Sequence, residues 1–365
     1  MLFLSNCNRK EQKGTDMQTS YKDTDVTILL KDITGLVEPE DTKTREQKIQ
    51  AGTHYCEMLP IEYVPTPEYE KTYEEMIDIY SETVANVVCV LSERIYKANK
   101  APVLVSLARA GIPAGILIKH YLENKYKINV PHYAISIIRG RGIDKNAMKY
   151  ILQRHNGKDF IFVDGWTGKG AIRNQLNEAL TDYPDVNNCL AVIADPAGVA
   201  DIYGTETDLM IPSACLNSTV SGLISRTFLR SDIIGPNDFH GALYYGNMKD
   251  SDKSYSFINS VEKHFNYSID YIRMRNHRAS GMKDVEYIMD KYHINDVNLV
   301  KPGIGESTRV LLRRVPDIVI INHQNKDDEE LKPILRLAKE KSVKIVYDDL
   351  SAYKVCGVIR NMADA

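Results

Sequence analysis

Two short strings set small residues, a cation and a carboxylate at spacings that suit an anion. In Ala108-Arg109-Ala110-Gly111-Ile112-Pro113 the small residues let backbone N–H groups close on an anion where a helix begins. Arg109 adds a planar cation that matches phosphate oxygens. In Asp164-Gly165-Trp166-Thr167-Gly168-Lys169-Gly170 a carboxylate precedes a run of amide and hydroxyl donors. Asp164 can hold sugar hydroxyls or a magnesium-bound water, and Thr167, Lys169 and the glycines can serve a phosphate. The G-x-x-x-x-G-K-[ST] spacing is absent, so this is not a Walker A loop. Either string alone also reads as an unused strand–helix turn; two at strand ends of one sheet make coincidence less attractive.

The surrounding pattern supplies such a sheet. The runs at 103–107, 133–138, 160–164, 190–195 and 209–212 read as buried strands, and the helical patterns at 111–127, 146–155 and 168–183 lie between them. This alternation means parallel βαβ units in a doubly wound α/β sheet, with ligands beyond the carboxyl ends of the strands. Upstream, 25–33 reads as a weak strand. Residues 68–97 carry Tyr73, Met76, Ile77, Tyr80, Val84, Val87, Val88, Leu91 and Ile95 at helical spacing, so one long amphipathic helix is expected to pack on the sheet. The chain divides into an N-terminal extension with that helix (1–100), a central domain (101–250) and, after a Gly/Asn/Asp/Ser-rich stretch, a second α/β unit (255–365). Its expected strands are 297–301, 318–322 and 343–347, with helices near 281–293, from Glu306, and over 329–341.

Bulk properties exclude little. A net charge of −3 names no partner, and six scattered cysteines without a C-x-x-C pair argue against a zinc knuckle or a disulfide framework. Reduced thiols in the cytoplasm are the expectation, and no run reaches the length of a membrane span.

Further groups can reach a site at the strand ends. Arg139 and Arg141 flank a glycine after the strand at 133–138 and suit a loop that closes over substrate. Asp195 and the hydroxyl-rich segment 213–226, with Ser218 and Thr219, can line an acceptor pocket, and His54, Tyr55 and Glu57 can also reach it. In the second unit, Gly303 and Gly305 precede a helix on which Glu306, Arg309 and Arg313 share one face, a combination suited to RNA phosphates and a base edge.

SLARAGIP and FIFVDGWTGKG resemble the pyrophosphate and ribose-phosphate loops of type I phosphoribosyltransferases. The match departs at Gly165, where that family usually has a second acid. DVTILLKDI, THYCEMLPIEY, SLARAGIPAG, DGWTGKGA and LNSTVSGLISRTFLR are similar to the phosphoribosyltransferase-like proteins of tellurite-resistance stress operons, a family also labelled cysteine protease StiP. The resemblance implies binding of phosphoribosyl pyrophosphate or a nucleotide with Mg²⁺ at Asp164. Arg109, Asp164, Arg139 and Arg141 would be the catalytic groups. Ser106, Ala108, Ala110, Gly111, Gly165, Thr167, Gly168, Lys169, Gly170, Asp195, Ser218 and Thr219 would hold the substrate. The implied activity is pentosyl transfer to or from a base-like group, in a pathway making a nucleoside-like metabolite for stress resistance. Lys301 to Val358 resembles the Pelota-type, ribosomal-protein-like RNA-binding domain, a smaller three-layer α/β fold; Gly305 replaces that family's Asn and Arg309 its Lys. Structured RNA is the implied partner, and homo-oligomerisation is left open. Two other readings stand beside transfer: a non-catalytic nucleotide- or RNA-binding regulator, and a cysteine protease using Cys215 with His240.

Overall fold

The computed structural model describes residues 16–274 and 281–361. Six parallel strands form the first sheet, in the order Thr27–Ile28, His132–Ile135, Val103–Leu107, Phe160–Trp166, Leu190–Ala194 and Ile202–Thr205. After the edge strand Thr27–Ile28 the chain re-enters at Val103–Leu107, moves outward to His132–Ile135, then returns to the other side with Phe160–Trp166. The strand order therefore reverses between the two strands that carry the loops at 108–113 and 164–170, where open α/β sheets bind ligands.

The helix Pro67–Ala98 forms as its periodicity predicts. Thr66 caps it by accepting from the Tyr69 N–H, and Pro67 sits where no N–H is needed. Tyr73, Met76, Val84, Val88, Leu91 and Ile95 are buried in the core shared with the helix Gly111–Tyr126. Each such side chain contributes roughly 1.5–3 kcal/mol. Gly111 is required for close approach: a Cβ there would lie 2.2 Å from the Val163 carbonyl oxygen.

Several elements differ from expectation. The run at 25–33 splits, with Thr27–Ile28 joining the main sheet and Lys31–Asp32 pairing with Gly241–Ala242. The run at 133–138 also breaks, because Ile137–Ile138 leaves the sheet to form a hairpin with Gly142–Ile143 that carries residues 139–141 at its tip. Residues 209–212 are buried but form no strand; Pro212 starts a 3₁₀ turn and Ile202–Thr205 takes the sheet edge. A short apolar run reports burial, not strand pairing. The helix expected over 168–183 begins only at Ala171, preceded by Gly170 at φ +83°, which leaves residues 167–170 as a loop.

The second unit has a four-stranded mixed sheet in the order Val300–Pro302, Val355–Ile359, Pro316–Asn322 and Lys344–Asp348. Its helices are Gly281–Lys291, Ile304–Arg313 and Lys332–Glu340. Val285, Ile288, Val300, Ile320 and Val358 form its own core. Ile304, Leu311, Val319, Ile321, Ile334 and Leu337 instead join the core of the first unit. The two units are thus welded by apolar contact, and the helix Ile304–Arg313 is driven against the strand ends of the first sheet. Among the described residues no helix is long and apolar enough to cross a membrane.

Candidate functional site

A cleft lies where that helix meets the loop at 164–170. One cavity, of about 270 Å³, is lined by Tyr55, Arg139, Asp164, residues 166–170, Arg226, Lys301, Glu306, Arg309 and Arg314, with further residues at its margin. A neighbouring one of about 240 Å³ adds Arg109, Ala110 and Arg313 and shares Tyr55, Arg226, Glu306, Arg309 and Arg314. The lining is overwhelmingly cationic. Burial, and secondarily the charge of Arg139, pulls Lys169 down to about 8; burial and then Lys169 pull Lys301 down to about 7. Burial and neighbouring arginines lower Arg226 to about 9 and hold Arg109 and Arg313 below their ordinary value. Burial opposes ionisation of Glu306, but Arg309, Lys301 and Arg313 outweigh it and keep its carboxylate below the usual range.

The structure brings together Ala108, Arg109, Ala110, Asp164, Thr167, Gly168, Lys169, Gly170, Arg139, Glu306, Arg309 and Arg313. Not all are free to act on a ligand. The Thr167 hydroxyl donates to Asp195 at 2.6 Å, and Asp195, fully buried, also accepts from the Val199 and Ala200 amides. Asp195 therefore shapes the loop and touches no ligand space. Lys169 donates to the Val300 carbonyl at 2.8 Å and to that of Val297, tying the loop to the second unit. Ser106 is enclosed, bonded to His132 at 2.7 Å and to the Gly111 carbonyl. Gly111 packs on Val163, Gly165 lies against the Ala110 carbonyl, and Ser218 and Thr219 are buried outside both cavities. The hairpin divides its two arginines: Arg139 enters the cleft, while Arg141 turns out to Glu57 at 2.9 Å.

The expected RNA-contacting group is turned inward. A Cβ on Gly305 would lie 2.2 Å from the Trp166 ring, Arg309 lies 4.4 Å over that ring, and Glu306 covers Gly168. Asp208 of the first unit accepts from the Ile304 N–H at 2.9 Å and from the Lys354 N–H at 2.9 Å. It holds the helix N-terminus that an RNA phosphate was expected to occupy. Gly303 makes the preceding turn at φ +89°.

Trp166, Arg226, Lys301, Arg314 and Asp208 were not singled out as site residues. The lone tryptophan inside a glycine loop was a usable signal, as was Arg314 beside Arg313. Asp208 gave none, because its role depends on where the second unit docks.

Magnesium at Asp164 would need its other ligands from water and a bound anion. Among the described residues no group of three or more acids, histidines or cysteines could hold a metal, and the nearby Glu306 is paired with Arg309 at 2.7 Å. Burial pushes Asp164 up to about 6 against the pull of Arg309. Its unfolded value is about 3.9. The native chain thus binds the extra proton between those values, and that stabilisation is lost as pH rises through about 6. Asp164→Asn is expected to raise the melting temperature by a few degrees at neutral pH and to leave it unchanged near pH 3.5. A pH-independent shift in calorimetric melts would refute the assignment.

Thiols are the other reactive groups. Cys215 is fully buried, 3.6 Å from the Met210 sulfur, pushed up to about 12 by burial, and meets no imidazole among the described residues. His240 is bonded through its ring to Ser136 at 2.9 Å and through its amide to Asp144. The Cys215–His240 pairing is therefore corrected: each side chain is engaged by other partners. Cys56 does meet an imidazole. His54 Nδ1 lies 3.0 Å from Cys56 Sγ, and His54 Nε2 lies 3.0 Å from the Arg139 carbonyl. Tyr55, between the two, walls both cavities and stacks under Arg226 at 4.3 Å.

The fold and the site define a two-unit α/β protein with a cationic cleft and the Cys56–His54 pair beside it. Residues 19–262 match the family described as tellurite-like stress resistance cysteine protease StiP, and residues 279–361 match the PELOTA RNA binding domain. Over 363 residues the chain is 33% identical to cysteine protease StiP of Acinetobacter baylyi, covering 94% of each chain. The chain belongs to the StiP family. A solved structure, a hypothetical protein from Neisseria gonorrhoeae with bound ppGpp, is 18% identical with a TM-score of 0.25, over 33% of this chain and 78% of that one. The expected pentosyl transfer is corrected by the family and the relative, both named as cysteine proteases. Loops that suit phosphates describe an anion site, not a reaction.

Proposed function

We propose that this chain is a thiol hydrolase acting on peptides, with Cys56 as nucleophile and His54 as its base. The observation that carries this reading is the 3.0 Å contact between Cys56 Sγ and His54 Nδ1, with the far side of the ring held by a carbonyl. A carbonyl only accepts, so Nε2 carries the ring proton, and the Nδ1 lone pair faces both the Cys56 thiol at 3.0 Å and the Cys56 backbone N–H, which donates to it at 3.3 Å. Nucleophile, base and orienting group stand in the order that activated nucleophiles use. In the reaction the thiol proton passes to Nδ1 as sulfur bonds to the peptide carbonyl carbon. The C–N bond then breaks, the leaving amine takes the proton from Nδ1, and water hydrolyses the thioester.

At rest the thiol is protonated: burial pushes Cys56 up to about 11 despite the lowering charges of Arg141 and Arg226. Access requires the segment around Leu229, whose carbonyl lies 3.5 Å from the sulfur, to move aside. The parallel sheet with its two anion loops is also compatible with the type I phosphoribosyltransferase pattern as a scaffold, with no transfer reaction implied. Labelling with a peptidyl electrophile, followed by mass mapping, tests the assignment. An inhibitory adduct on Cys56 is expected; complete inhibition with the adduct on another cysteine refutes it.

A further inference from the structure

We propose that the arginine-lined cavity between the two units binds a small ligand bearing an oligophosphate group, held jointly by both. The site is independent of the thiol chemistry. Five arginines, Arg109, Arg226, Arg309, Arg313 and Arg314, line a volume of about 240 Å³ that contains one carboxylate, Glu306. Two of the five are neutralised: Arg309 by Glu306 at 2.7 Å, and Arg314 by Glu46 at 2.6 Å. The other three meet no carboxylate within 4 Å among the described residues. Arg109 donates to the Ile224 carbonyl at 2.7 Å, and Arg226 rests on the Tyr55 ring.

Three guanidinium groups with no carboxylate in contact repel one another in a partly desolvated space, and Glu62, beyond contact distance, offsets only part of the charge of Arg109 and Arg313. Burial and the neighbouring arginines lower Arg226 to about 9 and hold Arg313 well below its ordinary value. A fold that drives such charges together by apolar docking leaves a site that a compact polyanion relieves. One carboxylate satisfies a single guanidinium fork. A di- or triphosphate presents several charged oxygens in the same volume and can bridge all three.

The origin of the cations sets the ligand's size. Arg109 and Arg226 belong to the first unit, and Arg313 lies in the helix Ile304–Arg313 of the second. That helix packs its face on Trp166 and Gly168, which closes the approach to an RNA helix but admits a small molecule. The adjoining cavity of about 270 Å³ can take the rest of the ligand beside Trp166.

The test is calorimetric titration of inorganic pyrophosphate and triphosphate into the full chain and into Arg226→Gln and Arg313→Gln. Wild type is expected to bind one equivalent, and each variant to bind at least tenfold more weakly. Without ligand, neither variant should melt below wild type, because each removes a repulsion. With triphosphate, only wild type should gain several degrees. Absence of binding to wild type, or unchanged affinity in both variants, overturns the proposal. A short structured RNA that binds wild type, is lost in both variants and is not displaced by triphosphate would overturn it in favour of RNA.

Discussion

Cys56→Ser is expected to abolish peptide hydrolysis, by a factor on the order of 10⁴ or more, while Cys215→Ser leaves it unchanged. Serine keeps the size and the hydrogen bond to His54 but is a far weaker nucleophile without a stronger base. His54→Ala should cost nearly as much, and the double variant little more, because nucleophile and base act as one unit. The pH profile is the sharper check. Burial lowers His54 below its ordinary 6.5, with the charges of Arg141 and Arg139 adding to it and the Arg139 carbonyl opposing. Only the unprotonated ring accepts the thiol proton, so kcat/KM should rise with pH through a value below 6.5 and then stay level across neutral pH. A profile that rises only toward the ordinary thiol range would mean a free thiolate, and hydrolysis retained by Cys56→Ser would remove the dyad altogether.

Glu46→Ala is expected to destabilise the chain by about 3–5 kcal/mol, the usual cost of leaving a buried charge unpaired. Glu46 sits on the helix Thr42–Gln50 with its side chain 1% exposed and accepts two bonds from Arg314, at 2.6 and 2.9 Å. Its charge, with that of Glu40, also offsets the fully buried Arg45, whose Nε and one terminal nitrogen find no acceptor among the described residues. Removing this one carboxylate strands two cations and cuts a tie between the N-terminal extension and the second unit. The pH dependence has a definite sign. Burial raises the Glu46 value, but Arg314 outweighs it and holds the carboxyl below its ordinary range. Its stabilisation is therefore complete above an unfolded value of about 4.3 and disappears as pH falls through the lower folded value. Urea titration at neutral pH measures the loss; a difference under about 1 kcal/mol would show that the pair is screened by solvent.

The PELOTA-type unit raises a related point about partners. Its sequence places Gly303 and Gly305 before a helix on which Glu306, Arg309 and Arg313 share one face. In the folded chain that face is spent on Trp166, Gly168 and the arginine cavity. RNA binding through those residues would require the helix Ile304–Arg313 to leave an apolar core that includes Ile304 and Leu311.

The local patterns determined much of this. Apolar runs gave the central strands, because a strand buried on both faces has no polar alternation to hide it. Spacing gave the helix Pro67–Ala98, and small residues with Arg109 and Asp164 located the two loops at the sheet's switch point. Other features depended on residues distant in sequence. Thr167 could be read as a phosphate donor, yet Asp195 takes its hydroxyl. Arg139 and Arg141 look alike in sequence, but the twist of one hairpin sends them to different partners. Among the described residues the thiol that meets an imidazole is Cys56, and His54 beside it is held by a carbonyl 85 residues away. The charge of the cleft is also a tertiary product. Arginines in separate segments carry no repulsive energy in an unfolded chain, where water and distance screen them; only the docking of the second unit brings them within one cavity.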